Sequence, residues 1–174
     1  MQNICNLFTI SPLHGDTTIM IGKGERFYIG TTRFTDATYV ENENWRTKHN
    51  WAGCIYGCNK KMPLQIPHLA IVYVIEMNND KNKVMGIGVV RNYINLKYKC
   101  NVYKTDPNYN RYIYNSALRV DRQRINKKLL KALELILFKG SGHYKRGQGI
   151  TTIPWKRFGN EAKYIYKIFK SLFS

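Results

Sequence analysis

Two nearly continuous apolar runs, LAIVYVIEM (69–77) and KVMGIGVVR (83–91), are separated by the polar residues Asn78-Asn79-Asp80-Lys81-Asn82. Runs of this length and composition, closed by such a turn, predict a central hairpin buried on both faces. The rest of the chain then has to cover both sides of that hairpin. Gly86 and Gly88 weaken a strand unless the backbone bends or another group comes close, so a barrel bend or a ligand contact is expected there. KYKCNVY (97–103) and RYIYNSALRV (111–120) alternate bulky and polar residues and continue the sheet, with a turn at Asp106-Pro107-Asn108. Upstream, ICNLFTI, TTIMI and RFYIG are short candidate strands, and Gly22-Lys23-Gly24-Glu25 suits a hairpin between Ile21 and Phe27. The polar stretch from about Thr31 to Pro67, with Trp45 and Trp51 flanking RTKHN, reads as a long functional loop holding one or two helical turns.

After Asp121 the period changes. Ile125, Leu129, Leu133 and Ile136 fall on one stripe of a helix over Arg122 to Lys139, with Asp121 as N-cap and Gly140 as C′ residue. A second helix, from about Asn160 to Leu172, places Ala162, Ile165, Ile168, Phe169 and Leu172 on one face and Lys163, Lys167 and Lys170 on another. The fold class expected is α+β: a small mixed or antiparallel β-barrel followed by two C-terminal basic amphipathic helices. A chain of 174 residues suits one domain over 1–174, with the barrel-like sheet at 5–120 and the basic helical and Gly-rich portion at 121–174.

Charge points to the partner. The chain carries 28 Lys and Arg against 11 Asp and Glu, a net +17. Residues 1–110 hold 13 basic and 8 acidic side chains (+5), while residues 111–174 hold 15 and 3 (+12). A genome rich in A and T favours Lys, Asn, Ile and Tyr codons and accounts for many lysines, but not for their segregation. A polyanion, nucleic acid first, is the expected partner, with RNA preferred over DNA. No window approaches the roughly 20 apolar residues of a membrane span, and the N-terminus lacks the basic start and apolar run of a signal peptide. An intracellular protein, cytoplasmic or nuclear, follows; the composition also suits a viral factory or a virion. Cys5, Cys54, Cys58 and Cys100 are too few and scattered for a disulfide framework. Cys54 and Cys58, near His49 and His68, lack the second pair that a structural zinc needs, so they read as reduced thiols and no metal or cofactor is expected.

The stretch from Ser141 to Thr152, SGHYKRGQGITT, combines Gly142, Gly147 and Gly149 with His143, Lys145 and Arg146. It is neither a Walker loop nor a dinucleotide fingerprint. Two readings stand: a loop that brings backbone and cations up to a phosphate, or a solvated connector. Ile153-Pro154-Trp155-Lys156-Arg157-Phe158, Arg91-Asn92-Tyr93 and Tyr109 to Tyr114 interleave aromatic and basic residues, the mixture that holds single strands by stacking and backbone contact. Tyr109, Tyr112 and Tyr114 equally suit cross-strand packing. Candidate backbone contacts are Arg91, Lys145, Arg146, Lys156 and Arg157; candidate base-stacking or pocket residues are Trp45, Trp51, Trp155, Gly86 and Gly88. No catalytic residues are assigned: among the acids there is no paired-carboxylate site, and His14, His49, His68 and His143 show no metalloprotease spacing.

Two family resemblances bear on this. YIGTTRF (28–34), followed by Arg46 and His49, resembles the second half of the GIY-YIG endonuclease motif. The first half is missing, and the metal-binding Glu that motif implies could only be Glu76 or Glu134. A metal-dependent nuclease is therefore one alternative, and a non-specific basic structural or virion protein another. The order of elements from NLFTIS through the Trp-containing loop to MGIGVVRN and RYIYNSALRV resembles the PUA-like barrels, in particular their EVE, ASCH and YTH relatives. That resemblance covers about residues 5–120 and implies a small barrel that binds RNA or a modified base. Trp45 or Trp51 would then be pocket aromatics over the backbone near Gly86 to Val89, and the basic helices an added phosphate clamp.

Overall fold

The computed structural model describes residues 27–94 and 100–173. The candidate strands before Phe27, and residues 95–99 of the stretch that includes KYKCNVY, lie outside the described residues. The central hairpin is present. β3 (Ile71–Asn78) pairs antiparallel with β4 (Lys83–Arg91), and every residue of β3 is buried. β1 (Phe27–Phe34) lies parallel to β3; β6 (Arg119–Asp121) adds to β4 and β7 (Thr151–Thr152) to β1, both antiparallel. The order is β6-β4-β3-β1-β7. β2 (Cys54–Cys58) and β5 (Tyr112–Ser116) form a separate antiparallel pair.

Between β5 and β6 the strand breaks at Ala117-Leu118, and the β2–β5 pair folds back over the sheet. Two contacts fix that crossing: Gly88 lies directly beneath the Tyr56 hydroxyl and Cys54, and Tyr56 donates to Glu76 Oε1 at 2.9 Å. At the far edge the Cys58 thiol comes up to the Ile150 backbone, next to β7. The sheet therefore curls on itself, but among the described residues β2 and β7 share no ladder. The architecture is mixed α+β, and no closed barrel is formed by the paired strands.

Alternation along β3 sorts the interior into two cores. Ile71, Tyr73, Ile75 and Met77 face α2 (Lys127–Phe138) and α3 (Ala162–Ser171), which bury Leu129, Leu130, Leu133, Leu137, Ile165 and Phe169 there. Val72 and Val74 face the other side, where α1 (Asp36–Lys48) contributes Trp45 and the β2–β5 pair contributes Cys54, Tyr56 and Tyr114. Each such aliphatic side chain stabilises by about 1.5–3 kcal/mol when fully removed from water.

Several expectations are corrected. Residues 31–67 hold the end of β1, a 13-residue helix and β2 rather than one long loop. A capping box starts α1: the Thr35 side chain accepts from the Thr38 backbone, and Thr38 returns the bond. The helix expected from Arg122 begins at Lys127. Arg122–Arg124 form a 3-10 turn, Ile125 is extended, and Asn126 caps α2 by accepting from the backbones of Lys128 and Leu129. Gly140 does take the left-handed conformation after α2, at φ 76°. Residues 100–103 are not a strand: the Asn110 carboxamide accepts from the Val102 and Tyr103 backbones and donates to the Tyr103 carbonyl, doing the work of a partner strand. No helix among the described residues is long and apolar enough to cross a membrane.

Candidate functional site

The C-terminal end of β1 carries a cation that the core cannot neutralise. Arg33 is half-buried, and its guanidinium donates to the carbonyls of Tyr144 (3.2 Å) and Gly149 (2.7 Å) and to Thr151 Oγ1 (3.1 Å). All three acceptors are neutral, and burial pulls its pKa down. These bonds draw the Gly-rich segment against the strand end, which is why residue 147 has no side chain: a Cβ there would collide with the guanidinium. Asn79 completes the clamp from the end of β3, its backbone donating to Phe34 O (2.8 Å) and its carboxamide to Lys145 O (3.0 Å).

A pocket of about 260 Å³ opens between these parts. Thr32 to Thr35 and Thr38 form one side and residues 145 and 147–149 another, with Tyr103 and Tyr109 facing them. The two tyrosine rings meet edge to face at 6.0 Å. Gly57 lets them in, since a Cβ there would strike the Tyr109 carbonyl and the Tyr103 ring. Asn42, buried in α1, donates to the Tyr103 hydroxyl at 3.2 Å and fixes the ring. Among the described residues Arg33 and Lys145 line the pocket and no carboxylate does. The volume lies below the roughly 300–1,000 Å³ of drug-sized ligand sites.

A shallower groove of about 840 Å³ runs along the exposed side of α2 and shares Lys145 with the pocket. Its cations are Arg122, Lys127, Lys131, Lys139 and Lys145; its one acid, Glu134, is bound by Arg122 and by the Val84 backbone.

The residues singled out from sequence are scattered over this frame. Lys145 lies at the pocket, with exposed Arg146 beside it. Arg157 is exposed but engaged within the chain: it donates to Gly142 O at 2.7 Å and lies over the Tyr144 ring, and a Cβ at Gly142 would make that guanidinium shift. Lys156 is exposed on the 3-10 turn Trp155–Glu161. Arg91 sits at the opposite end of the sheet, donating to Leu69 O. The tryptophans are taken up by the cores instead of facing a ligand together. Trp45 is 7% exposed and stacks on His49 at 4.0 Å; Trp51 donates to Cys54 O; Trp155 packs on Phe27, Phe158 and Tyr166 across the sheet from both. Gly86 and Gly88 are no pocket floor either. Gly86 leaves room for the Glu76–Arg119 ion pair, and Gly88 for Tyr56 and Cys54.

Of the two carboxylates that the endonuclease resemblance implies, Glu76 is held by Tyr56 and Arg119 and Glu134 by Arg122. Among the described residues no three of His, Cys, Asp and Glu come together as metal ligands. Arg33, Tyr103 and Asn79 are the site residues that sequence reasoning missed. An arginine ending a strand three residues before a helix, with few acids in the C-terminal third, was the available signal for the first. Comparison of the chain with protein-family models, curated proteins and solved structures returns no match.

Proposed function

We propose that the protein binds single-stranded nucleic acid, RNA in preference to DNA, and takes one base, flipped or modified, into the pocket beside Arg33. The observation that supports this most is the half-buried Arg33 guanidinium, which donates to three neutral acceptors and lines a pocket with aromatic walls and, among the described residues, no acid. A guanidinium in that position is completed by an anion. Tyr109 offers a ring for stacking, and Lys145 and Arg146 meet the backbone. A PUA-like barrel is the finer fold reading that goes with this function, and the curl that brings Cys58 up to Ile150 supports it.

Fluorescence anisotropy against single-stranded RNA, single-stranded DNA, duplex DNA and heparin, titrated over salt, tests the proposal. Preference for single-stranded RNA that survives physiological salt is the expected result. Equal affinity for all four, lost as salt rises, would leave a non-specific polyanion binder; cleavage of a probe on adding a divalent metal would favour the nuclease.

A further inference from the structure

We infer that the strand delivering its base to the Arg33 pocket continues along α2, its phosphates held by Lys127, Lys131 and Lys139, with Lys145 the shared contact between pocket and groove. This rests on the proposed function and extends it to a path and a polymer length.

Geometry carries the inference. Lys127, Lys131 and Leu135 recur every fourth residue and form one row along α2, and Lys139, the extended residue that follows Phe138, continues the lining of the same groove. At 1.5 Å rise per residue the lining from 127 to 139 spans about 18 Å, enough for a few nucleotides. The three lysines are exposed, and among the described residues none of them has an ion pair. By contrast Lys128, one position on, lies over the Tyr164 ring at 4.8 Å and is committed to the α2–α3 packing. The buried leucines fix the rotation of α2, so the row cannot turn away from the groove. Apart from the single ring of Phe138 at the end of α2, the apolar lining is aliphatic, Ile125, Leu130 and Leu135, and offers no succession of aromatic faces for stacking. The groove is thus suited to following a backbone without reading bases, while base selection is left to the pocket.

The test is a length series of oligouridylates, from dinucleotide through tetranucleotide and octanucleotide to dodecanucleotide, on wild type and on the Lys127→Gln/Lys131→Gln double variant. Wild-type affinity should rise from dinucleotide to octanucleotide and then level off. The double variant should bind the dinucleotide as wild type does, lose about tenfold on the octanucleotide, and show a log K against log salt slope shallower by roughly 1.4 for two lost contacts on a single strand. Both positions are exposed, so an unchanged thermal transition and helical circular dichroism are expected of the variant. Wild-type length dependence persisting in the variant would overturn the inference and leave the proposed function standing. So would displacement by poly-glutamate of a probe bound along α2 while the dinucleotide stays bound, which would assign the groove to an acidic protein. Failure of every oligonucleotide to bind wild type would overturn the proposed function itself.

Discussion

Arg119 and Arg33 are both drawn out of water at the sheet, yet the chain treats them in opposite ways. The Arg119 side chain is 2% exposed and is matched on two sides, bonding both Glu76 oxygens at 2.8 Å and the Asp121 carboxylate as well. Tyr56 adds a further donor to Glu76, and Gly86 clears the space. Arg33 receives three neutral acceptors and stands in a pocket that no acid lines among the described residues. A buried charge with a complete set of partners serves the fold; one at a cavity with neutral partners marks a candidate binding site, as proposed here for Arg33.

The largest effect that tests this contrast is on the matched side. Glu76→Ala leaves Arg119 buried with only the edge carboxylate of Asp121, and should cost about 3–5 kcal/mol of unfolding free energy in urea titration. A loss below 1 kcal/mol would mean that the pair holds nothing together.

Next comes alkaline lability of the core beneath the β2–β5 pair. Burial pushes the Cys54 thiol up to about 11 and the Cys58 thiol up to about 12 from an ordinary 9.0. Above pH 9 the unfolded chain loses these protons while the folded chain keeps them. Stability is therefore full below pH 9 and falls as pH rises toward 11–12, by on the order of 3 kcal/mol per thiol. Urea midpoints read from pH 8 to 11 should decline, and Cys54→Ala should flatten the decline; an unchanged slope would place the titration elsewhere.

Smaller again is the effect of Lys145→Ala/Arg146→Ala on single-stranded RNA binding. It should weaken every sequence alike and reduce the salt slope by roughly 1.4. Sequence-selective loss would contradict a backbone role. Least is Asn126→Ala, which removes the α2 cap and should cost about 1 kcal/mol in stability without changing binding at low temperature.

What the sequence revealed follows from what each segment buries. The β3–β4 hairpin was legible because both faces of β3 are covered, which leaves an unbroken apolar run. The face of α3 was legible because Ile165 and Phe169 repeat at helical spacing. α1 was not, since it buries only Asn42 and Trp45 and shows no stripe. Residues 100–103 alternate like a strand, but their backbone is satisfied by the side chain of Asn110, a long-range choice that no local pattern encodes. The glycines at 140, 142, 147 and 149 suggested a backbone open to a ligand; Gly140 faces open space, while Gly142 and Gly147 are approached closely. What approaches them is internal, Arg33 at Gly147 and Arg157 at Gly142. Lys145 and Tyr109 are the residues singled out from sequence that line the pocket, Lys145 from a segment where basic residues and glycines coincide and Tyr109 from one where aromatic and basic residues alternate.

The most direct measurement of the central claim is the affinity of one single-stranded RNA probe for wild type, Arg33→Lys and Arg33→Met at physiological salt, with thermal transitions recorded on the same samples. The account predicts a tenfold or greater loss for Arg33→Met and a partial loss for Arg33→Lys, which keeps the charge but not the planar fork. Unchanged affinity in a folded Arg33→Met protein would contradict it.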